Sequence, residues 1–193
     1  MNIIPYVIEK NGYQERTFDI FSRLLKDRII MLCGEINDQM SNIIVASMLY
    51  LASESDDKIS LYINSPGGSI NAGFQIIDTM NFIKAPVETY CLGSAMSMAA
   101  VILLCGEKGS RFALENSEIM IHQPSGGCQG VEMDVQIYAN RLNKMKDKLY
   151  KIISDNTKMT PNEVLKKSER DCFMSSSEAL DLGIIDKILK KED

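Results

Sequence analysis

Strand-like and helix-like segments alternate along the first two thirds of this 193-residue chain. Apolar runs that end at a glycine or a turn predict strands over 28–33, 58–64 and 87–92. Between them, apolar residues at helical spacing predict helices over 38–54 and 70–83. This alternation predicts an α/β fold of right-handed β-α-β units with a largely parallel sheet.

The same patterns extend to the rest of the chain. The uncharged run 95–105 is apolar on all sides, which predicts a buried helix. Two capping boxes, which begin at Thr160 and Ser175, each predict the start of a further helix. The remaining predicted elements are two short strands, one long helix and a last strand, over 111–114, 119–121, 131–156 and 184–189.

The composition excludes several classes of protein. The net charge is −5 and the basic residues form no stripe with interleaved aromatic residues, so nucleic acid is not an expected partner. The five cysteines are irregularly spaced without a C-x-x-C pair, and with one histidine they cannot complete a four-ligand zinc site. We therefore expect no metal, reduced thiols and a cytoplasmic location.

No segment is typical of a secretion signal or a membrane span. The N-terminal apolar stretch is short, is interrupted by Pro5 and lacks a basic leader. The uncharged stretch 89–106 contains Tyr90, Ser94 and Ser97, so it is not a continuous apolar span. We therefore expect no attachment to a membrane. The length suits a single domain over residues 1–193.

His122 is the only histidine of the sequence. It follows the apolar run 119–121, which places the ring at the end of a predicted strand and before a Pro-Ser-Gly-Gly turn. Rigid strand ends commonly present catalytic groups, although a lone histidine is more often a packed or exposed ring. If the chain is a hydrolase that uses imidazole as general base, His122 is that base.

Two loops at the C-terminal ends of predicted parallel strands surround a candidate nucleophile. Ser97 lies among small residues about one turn into the predicted helix 95–105, where a structural role is the alternative. The loop Ser65–Ser69 exposes backbone N–H groups, which indicates either a simple turn or a site that binds an anion. No Lys-Ser/Thr follows it as in a P-loop, which argues against a nucleotide as that anion. An oxyanion hole made by the N–H groups of Gly68 and Met98 fits both loops.

A carboxylate should orient the imidazole of a Ser-His pair. Composition cannot choose among the 26 acidic residues, and Asp171 is the candidate that we prefer. The order Ser97, His122, Asp171 differs from the best-known orders of such triads, but geometry rather than order defines a triad.

The sequence resembles the proteolytic subunit of the bacterial Clp protease along nearly its whole length. The matching segments are Ser22–Ile30, Tyr62–Ser69, Ser97-Met98, Arg111–Leu114, Met120–Pro124, Arg170-Asp171 and Phe173–Ser175. The resemblance implies a crotonase-like spiral of β-α-β units and a serine endopeptidase. It also implies Ser97 as nucleophile, His122 as base, Asp171 as orienting residue, and the N–H groups of Gly68 and Met98 as oxyanion hole.

The resemblance further implies an assembly that degrades unfolded proteins. Two stacked heptameric rings would enclose the active sites, joined by a handle over 125–156 with a strand over 125–130. Residues 1–20 would form a pore collar. Substrates would be delivered by a AAA+ unfoldase of the ClpX, ClpC or ClpA type. That partner would use ATP, so no cofactor is expected for this chain.

Substrate and partner contacts follow from the same resemblance. The substrate would pair as an added strand between two segments, in contact with Gly68, Ser69, Ile70, Ser125, Gly126 and Gly127. The unfoldase would dock on apical pockets lined by Tyr62, Phe82, Tyr90, Phe112 and Leu189. We also expect Arg170 to bridge to an acidic residue across the handle, with Asp134 as the candidate.

Five positions depart from the family pattern, namely Ser94, Met96, Ala99, Glu115 and Cys128. Met96 is expected to narrow or reshape the pocket beside the nucleophile, and Ser94 adds a second hydroxyl. Because the three catalytic candidates are present, we predict an active protease. Its homomeric ring could be weak or could mix with a paralogous subunit.

Two other functions are open at this point. A crotonase-fold enzyme that acts on a coenzyme A thioester would share the spiral and the paired N–H groups. The acidic catalytic residues and basic nucleotide contacts that it needs are not clear in the sequence. A ring subunit without activity would only support assembly, and the presence of Ser97, His122 and Asp171 speaks against it. A membrane-bound Ser-Lys peptidase is disfavoured because no spanning helix is predicted.

Overall fold

The computed structural model describes residues 4–11 and 14–190. The chain begins with an antiparallel hairpin of β1 (Tyr6–Asn11) and β2 (Gln14–Asp19), and α1 (Ile20–Lys26) follows it directly. Residues 1–3 and 12–13 of the predicted collar lie outside the described residues.

Charged side chains join the hairpin to α1. Asp19 caps the helix by accepting N–H bonds from its first turn, and Arg23 and Lys26 both form ion pairs with Glu9 of β1. The sequence patterns did not predict β1, β2 or α1, and none of the residues of α1 is fully buried.

Strands and helices then alternate as predicted. The first elements of the central body are β3 (Ile29–Cys33), α2 (Asp38–Glu54), β4 (Ile59–Ser65), α3 (Ile70–Phe82), β5 (Val87–Met96) and α4 (Met98–Leu104). The later elements are β6 (Arg111–Leu114), β7 (Glu118–Ile121), α5 (Glu132–Asn156), α6 (Pro161–Ser168), β8 (Cys172–Ser175), α7 (Ser176–Asp181) and β9 (Lys187–Leu189). Both predicted capping boxes are present, at Thr160 and Ser175.

Seven strands form one sheet with the order β3-β4-β5-β6-β9, and β7 and β8 extend from β5. Every pairing in it is parallel except that of β7 with β8. The predicted α/β class with a largely parallel sheet is therefore confirmed. The core lies between sheet and helices, and all seven residues of α4 are buried.

The predicted break at Gly93 is wrong, because β5 continues to Met96. A register shift between β4 and β5 accompanies the positive φ of Gly93, 81°, which marks a bulge rather than an end. The helix consequently begins at Met98 instead of residue 95, and Ser97 precedes it.

Three further boundaries differ from the prediction. Residues 125–130 form no strand within the described chain, and three of these six residues are glycines, which weaken a strand. The last strand is confined to β9, and β8 was not predicted. Both are too short to show a periodic pattern.

None of the described helices is long and apolar enough to cross a membrane. Within the same residues, no group of three or more His, Cys, Asp and Glu side chains is arranged to hold a metal ion.

A largely buried ion pair joins segments of the central body that are far apart in the sequence. Arg111 donates from Nε and Nη2 to the two carboxylate oxygens of Asp186, at 2.7 and 2.6 Å. Its Nη1 donates to the carbonyl oxygens of Leu104 and Asn156, at 3.2 and 2.6 Å. One guanidinium thus fixes β6 to the last residues of α4 and α5 and to the approach to β9.

Replacing the carboxylate of this pair should be costly. Asp186→Asn leaves the guanidinium of Arg111 without a counter-charge. Because only 6% of the Arg111 side chain is exposed, we expect a loss of about 3 kcal/mol in the free energy of unfolding. The exposed pair Lys151–Asp155 is the control, since Asp155→Asn should cost about 0.5 kcal/mol or less. Urea denaturation at neutral pH measures both.

The same pair predicts a pH dependence. Partial burial alone would raise the pKa of Asp186, but the hydrogen bonds and charge of Arg111 lower it below its ordinary value of 3.8. A lowered pKa in the folded state means stabilisation that is present above pH 3.8 and is lost as the pH falls through the folded value. The stability difference between wild type and Asp186→Asn should therefore shrink in acid, and an unchanged difference would contradict this assignment.

Candidate active site

Ser97 lies in a sharp turn between β5 and α4. Its backbone has φ 54° and ψ −121°, a conformation that favours glycine. The N–H of Ser97 donates to the carbonyl oxygen of Met120 at 2.8 Å, and its own carbonyl oxygen accepts from Ala100 and Val101. The side chain does not cap α4, so its hydroxyl is free to face outward. The predicted position one turn into a helix is thus corrected.

The imidazole of His122 joins two other candidate side chains. Nε2 of His122 lies 2.8 Å from Oγ of Ser97, and Nδ1 lies 2.9 Å from Oδ1 of Asp171. The sheet explains this placement. Met96 of β5 pairs with Met120 of β7, so Ser97 and His122 both follow paired strand ends.

Asp171 reaches the imidazole through the antiparallel pair of β7 and β8. The last residue of β7, Ile121, is opposite Cys172, the first residue of β8. Since one strand ends and the other begins at this pair, His122 and Asp171 are the next residues of the two chains. Sequence patterns could not supply this register, because β8 has only four residues.

In this arrangement, the imidazole of His122 can accept the proton of the Ser97 hydroxyl while the carboxylate of Asp171 holds the ring in place. When Nδ1 of His122 carries hydrogen and donates to Asp171, Nε2 is the acceptor that faces the hydroxyl of Ser97. The side chain of His122 is 27% exposed and that of Asp171 is 58% exposed. The imidazole is therefore sheltered, whereas the carboxylate is open to solvent in the single chain.

The loop Ser65–Ser69, called the glycine loop from here on, lies against the turn of Ser97. A side-chain Cβ at Gly67 would lie 2.8 Å from Cβ of Ser97 and 3.1 Å from the nitrogen of Met98, and one at Gly68 would lie 2.2 Å from the carbonyl oxygen of Ile36. Only glycine fits either position. Among the described residues, no acceptor is found for the N–H groups of Gly68 and Met98, which belong to the two backbone segments that meet at Gly67 and Ser97.

A small apolar pocket opens beside the hydroxyl. It is lined by Ser97 and His122 together with Ile70, Met98, Val101, Ile121, Pro124, Leu149 and Ile153. The cavity has a volume of about 20 Å³, which is room for about one water, so a larger occupant requires the lining to move. The flexible side chain of Met98, which packs on Gly73, can provide that movement. Met96 is not among the residues that line this cavity.

A longer groove adjoins this pocket and contains most of the predicted substrate-binding residues. Gly68, Ser69, Ile70 and Ser125 line it together with Asn71, Tyr138, Arg141, Leu142 and Met145. Gly126 lies against the hydroxyl of Tyr138, where an added Cβ would approach to 2.5 Å, and Gly127 has open space around it. Sequence patterns did not indicate Tyr138 or Arg141, because their contribution depends on how α5 packs.

Four of the five predicted docking residues lie on neighbouring strands. Tyr62 stacks on Tyr90 with ring centroids 4.5 Å apart, and Tyr90 lies 4.8 Å from Phe112. Leu189 pairs with Leu114, two residues beyond Phe112 and on the same face of the sheet. Burial first and then a hydrogen bond to Glu88 raise the pKa of Tyr90 to about 12, so this phenol stays neutral.

Phe82 lies apart from this row. It is 81% exposed at the C-terminal end of α3, in a groove that it shares with Leu49 and Phe74. The single chain therefore does not bring all five docking residues together.

The predicted ring-contact residues, Asp134 and Arg170, are both exposed and form no ion pair within 4–11 and 14–190. Of the remaining family departures, Ser94 contacts Asn64 at 3.3 Å and Glu115 forms an ion pair with Lys190 at 3.5 Å. Ala99 is buried and Cys128 is exposed.

The chain is similar to a known protein family. A family model described as Clp protease matches residues 12–192 of the chain. The match includes every residue that forms the hydrogen-bonded chain, the glycine loop, the apolar pocket and the adjoining groove.

The strained turn at Ser97 predicts an unusual order of stability. Both Ser97→Gly and Ser97→Ala remove the hydroxyl, but only glycine adopts the observed φ of 54° without strain. We expect the glycine variant to be more stable than the alanine variant by about 1 kcal/mol, measured by urea denaturation. Ser94, in β5 and without a positive φ, is the matched control, where alanine should be the more stable. The same order at both positions would contradict strain at Ser97.

Proposed function

The chain belongs to the Clp protease family, and from this membership we propose that it is a serine endopeptidase whose nucleophile is Ser97. Membership in the family makes the protein a peptidase. The observation that carries the serine mechanism is the hydrogen-bonded chain from Ser97 through His122 to Asp171, with distances of 2.8 and 2.9 Å.

In the first half of the proposed reaction, an acyl-enzyme forms. The hydroxyl of Ser97 loses its proton to Nε2 of His122 while Oγ attacks the carbonyl carbon of the scissile peptide. The carbonyl oxygen becomes an anion, which the N–H groups of Gly68 and Met98 can stabilise. The imidazolium then gives its proton to the leaving amine as the C–N bond breaks.

In the second half, water releases the acyl group. Nε2 of His122 takes a proton from a water molecule, whose oxygen attacks the ester carbonyl of acyl-Ser97. The tetrahedral intermediate collapses to a free carboxylate, and the proton returns to Oγ. Asp171 holds the imidazole in the useful tautomer and stabilises its positive charge in both halves.

Three observations support an unfolded polypeptide as substrate. Gly67 and Gly68 leave the loop without side chains at two positions, Ser125 lines the groove from a segment that forms no strand in the single chain, and the pocket beside Ser97 is mostly apolar. We propose that substrate adds as a strand between them and places an apolar side chain in the pocket before the scissile bond.

We further propose that the chain forms the proteolytic chamber of an ATP-dependent protease. Two stacked heptameric rings, homomeric or mixed with a paralogous subunit, would enclose the sites. A AAA+ unfoldase would use the ATP and would dock on the row formed by Tyr62, Tyr90, Phe112 and Leu189, completed by Phe82 of a neighbouring subunit. Five free cysteines suit a reducing compartment, and we place the protein in the cytoplasm.

Two alternatives receive less support from the geometry. A coenzyme A thioester enzyme of the same fold class has no need for a serine hydroxyl within hydrogen-bonding distance of an oriented imidazole. A ring subunit without activity would not need the strain that the turn at Ser97 maintains.

Covalent labelling tests the nucleophile directly. A fluorophosphonate probe should form one adduct on the purified protein, mapped by mass spectrometry to Ser97. Ser97→Ala and His122→Ala should each abolish labelling, and Ser97→Ala should lower the rate of peptide cleavage by roughly 10⁶-fold. Ser94→Ala is the control that retains labelling, since its hydroxyl contacts Asn64 rather than an imidazole. Cleavage near the wild-type rate in Ser97→Ala would remove Ser97 from this role.

A charge exchange tests the proposed contact between rings. Arg170→Glu should dissociate the double ring into single rings in sedimentation velocity, because it places like charges opposite each other across the handle. The double variant Arg170→Glu with Asp134→Arg should restore the double ring. Lys166→Glu, at an exposed position of α6, is the control for net charge. An intact double ring in Arg170→Glu would show that this contact does not exist.

A further inference from the structure

The groove beside the apolar pocket carries a positive charge that the proposed reaction does not use. Ile70 lines both the pocket and the groove, so the two are adjacent. The groove has a volume of about 310 Å³, enough for a side chain of a bound peptide. Arg141 of α5 is its only charged lining residue among the described part of the chain.

The other polar groups of the groove complement an anion. Arg141 forms no ion pair within 4–11 and 14–190, and no acidic side chain lines the groove. The amide of Asn71 and the hydroxyls of Ser125 and Tyr138 face the same space and can donate hydrogen bonds. A guanidinium with additional neutral donors is the arrangement that recognises a carboxylate.

The position of Arg141 relates this charge to the substrate. A peptide strand that pairs beside Gly68–Ile70 projects successive side chains to opposite sides. When one side chain enters the apolar pocket, another at a fixed distance along the strand faces α5 and Arg141. The groove can therefore select the side chain at a single position of the substrate, whereas the backbone pairing does not distinguish between side chains.

We infer that Arg141 makes this groove a carboxylate-selective subsite, which biases cleavage toward bonds at a fixed distance from an acidic group. This inference rests on the proposed function, because it takes the groove to hold substrate. The carboxylate is supplied either by an Asp or Glu side chain or by the C-terminus of the peptide.

Peptide binding to the full chain with Ser97→Ala tests the subsite without requiring turnover. Fluorescein-labelled decapeptides carry one Glu at successive positions, each beside a Gln counterpart, with the C-terminus free or amidated. Fluorescence anisotropy should show about fivefold tighter binding of Glu than Gln at one position, the size expected for a partly exposed charged pair. A gain only for free C-termini would identify the chain end as the source of the carboxylate.

Second-site variants assign the effect to one side chain. Arg141→Gln in the Ser97→Ala background should abolish the preference for Glu, and Arg141→Glu should turn it into a preference for Lys at the same position. Lys144→Gln, with the same change of charge on an exposed residue of α5 outside the groove, should retain it.

The outcomes separate this inference from the proposed function. Equal binding of Glu and Gln peptides at all positions with no effect of amidation would overturn the subsite. So would a preference that persists in Arg141→Gln, or a failure to bind any of the peptides. Charge-selective binding together with absent fluorophosphonate labelling of the wild type would instead leave the subsite in place and overturn the role of Ser97.

Discussion

The pairing of β5 with two strands in succession determines where the side chains of the site lie. β5 pairs with β6 over Thr89–Cys91 and with β7 over Ser94–Met96. The partner of β5 changes from β6 to β7 around Gly93, where the positive φ changes the direction of the strand. β7 then presents His122 beside the end of β5, and β8, paired with β7, presents Asp171. Side chains that are far apart in the sequence meet because one strand has two neighbours on the same side.

The strain at Ser97 persists because the turn is fixed on both sides. Before the turn, the N–H of Ser97 is held by the carbonyl of Met120, and after it α4 is buried along its whole length. The backbone conformation costs about 1–3 kcal/mol, whereas burial of a single leucine such as Leu103 or Leu104 contributes about 1.5–3 kcal/mol. The burial of α4 therefore offsets the strain, and the hydroxyl faces outward instead of capping the helix.

The spacing of apolar residues was sufficient to predict those strands and helices in which buried and exposed side chains alternate regularly. In β4, for example, Ile59, Leu61 and Ile63 are buried in alternation, and strand and burial patterns agree. From residue 93 to 97 the same apolar composition suits a strand or a helix, and the pairing with β7 decides between them. His122 could be singled out because it is the only histidine. The position of Asp171 depends on the register of β8, which four residues cannot reveal, so only the resemblance indicated it.

The exposure of Asp171 links the proposed assembly to the proposed chemistry. Its side chain is more than twice as exposed as that of His122, to which it is hydrogen-bonded, so water competes for the lone pairs of the carboxylate in the single chain. Exclusion of that water would strengthen the bond to His122, because a hydrogen bond to a charged group gains strength as the surrounding dielectric falls. Arg170, the adjoining residue, is exposed and forms no ion pair within the described residues, so the second ring that we propose to bind there would also cover Asp171. In the proposed double ring, stacking would act on catalysis through the orientation of the His122 imidazole, while Ser97 would stay in the turn that the buried α4 fixes.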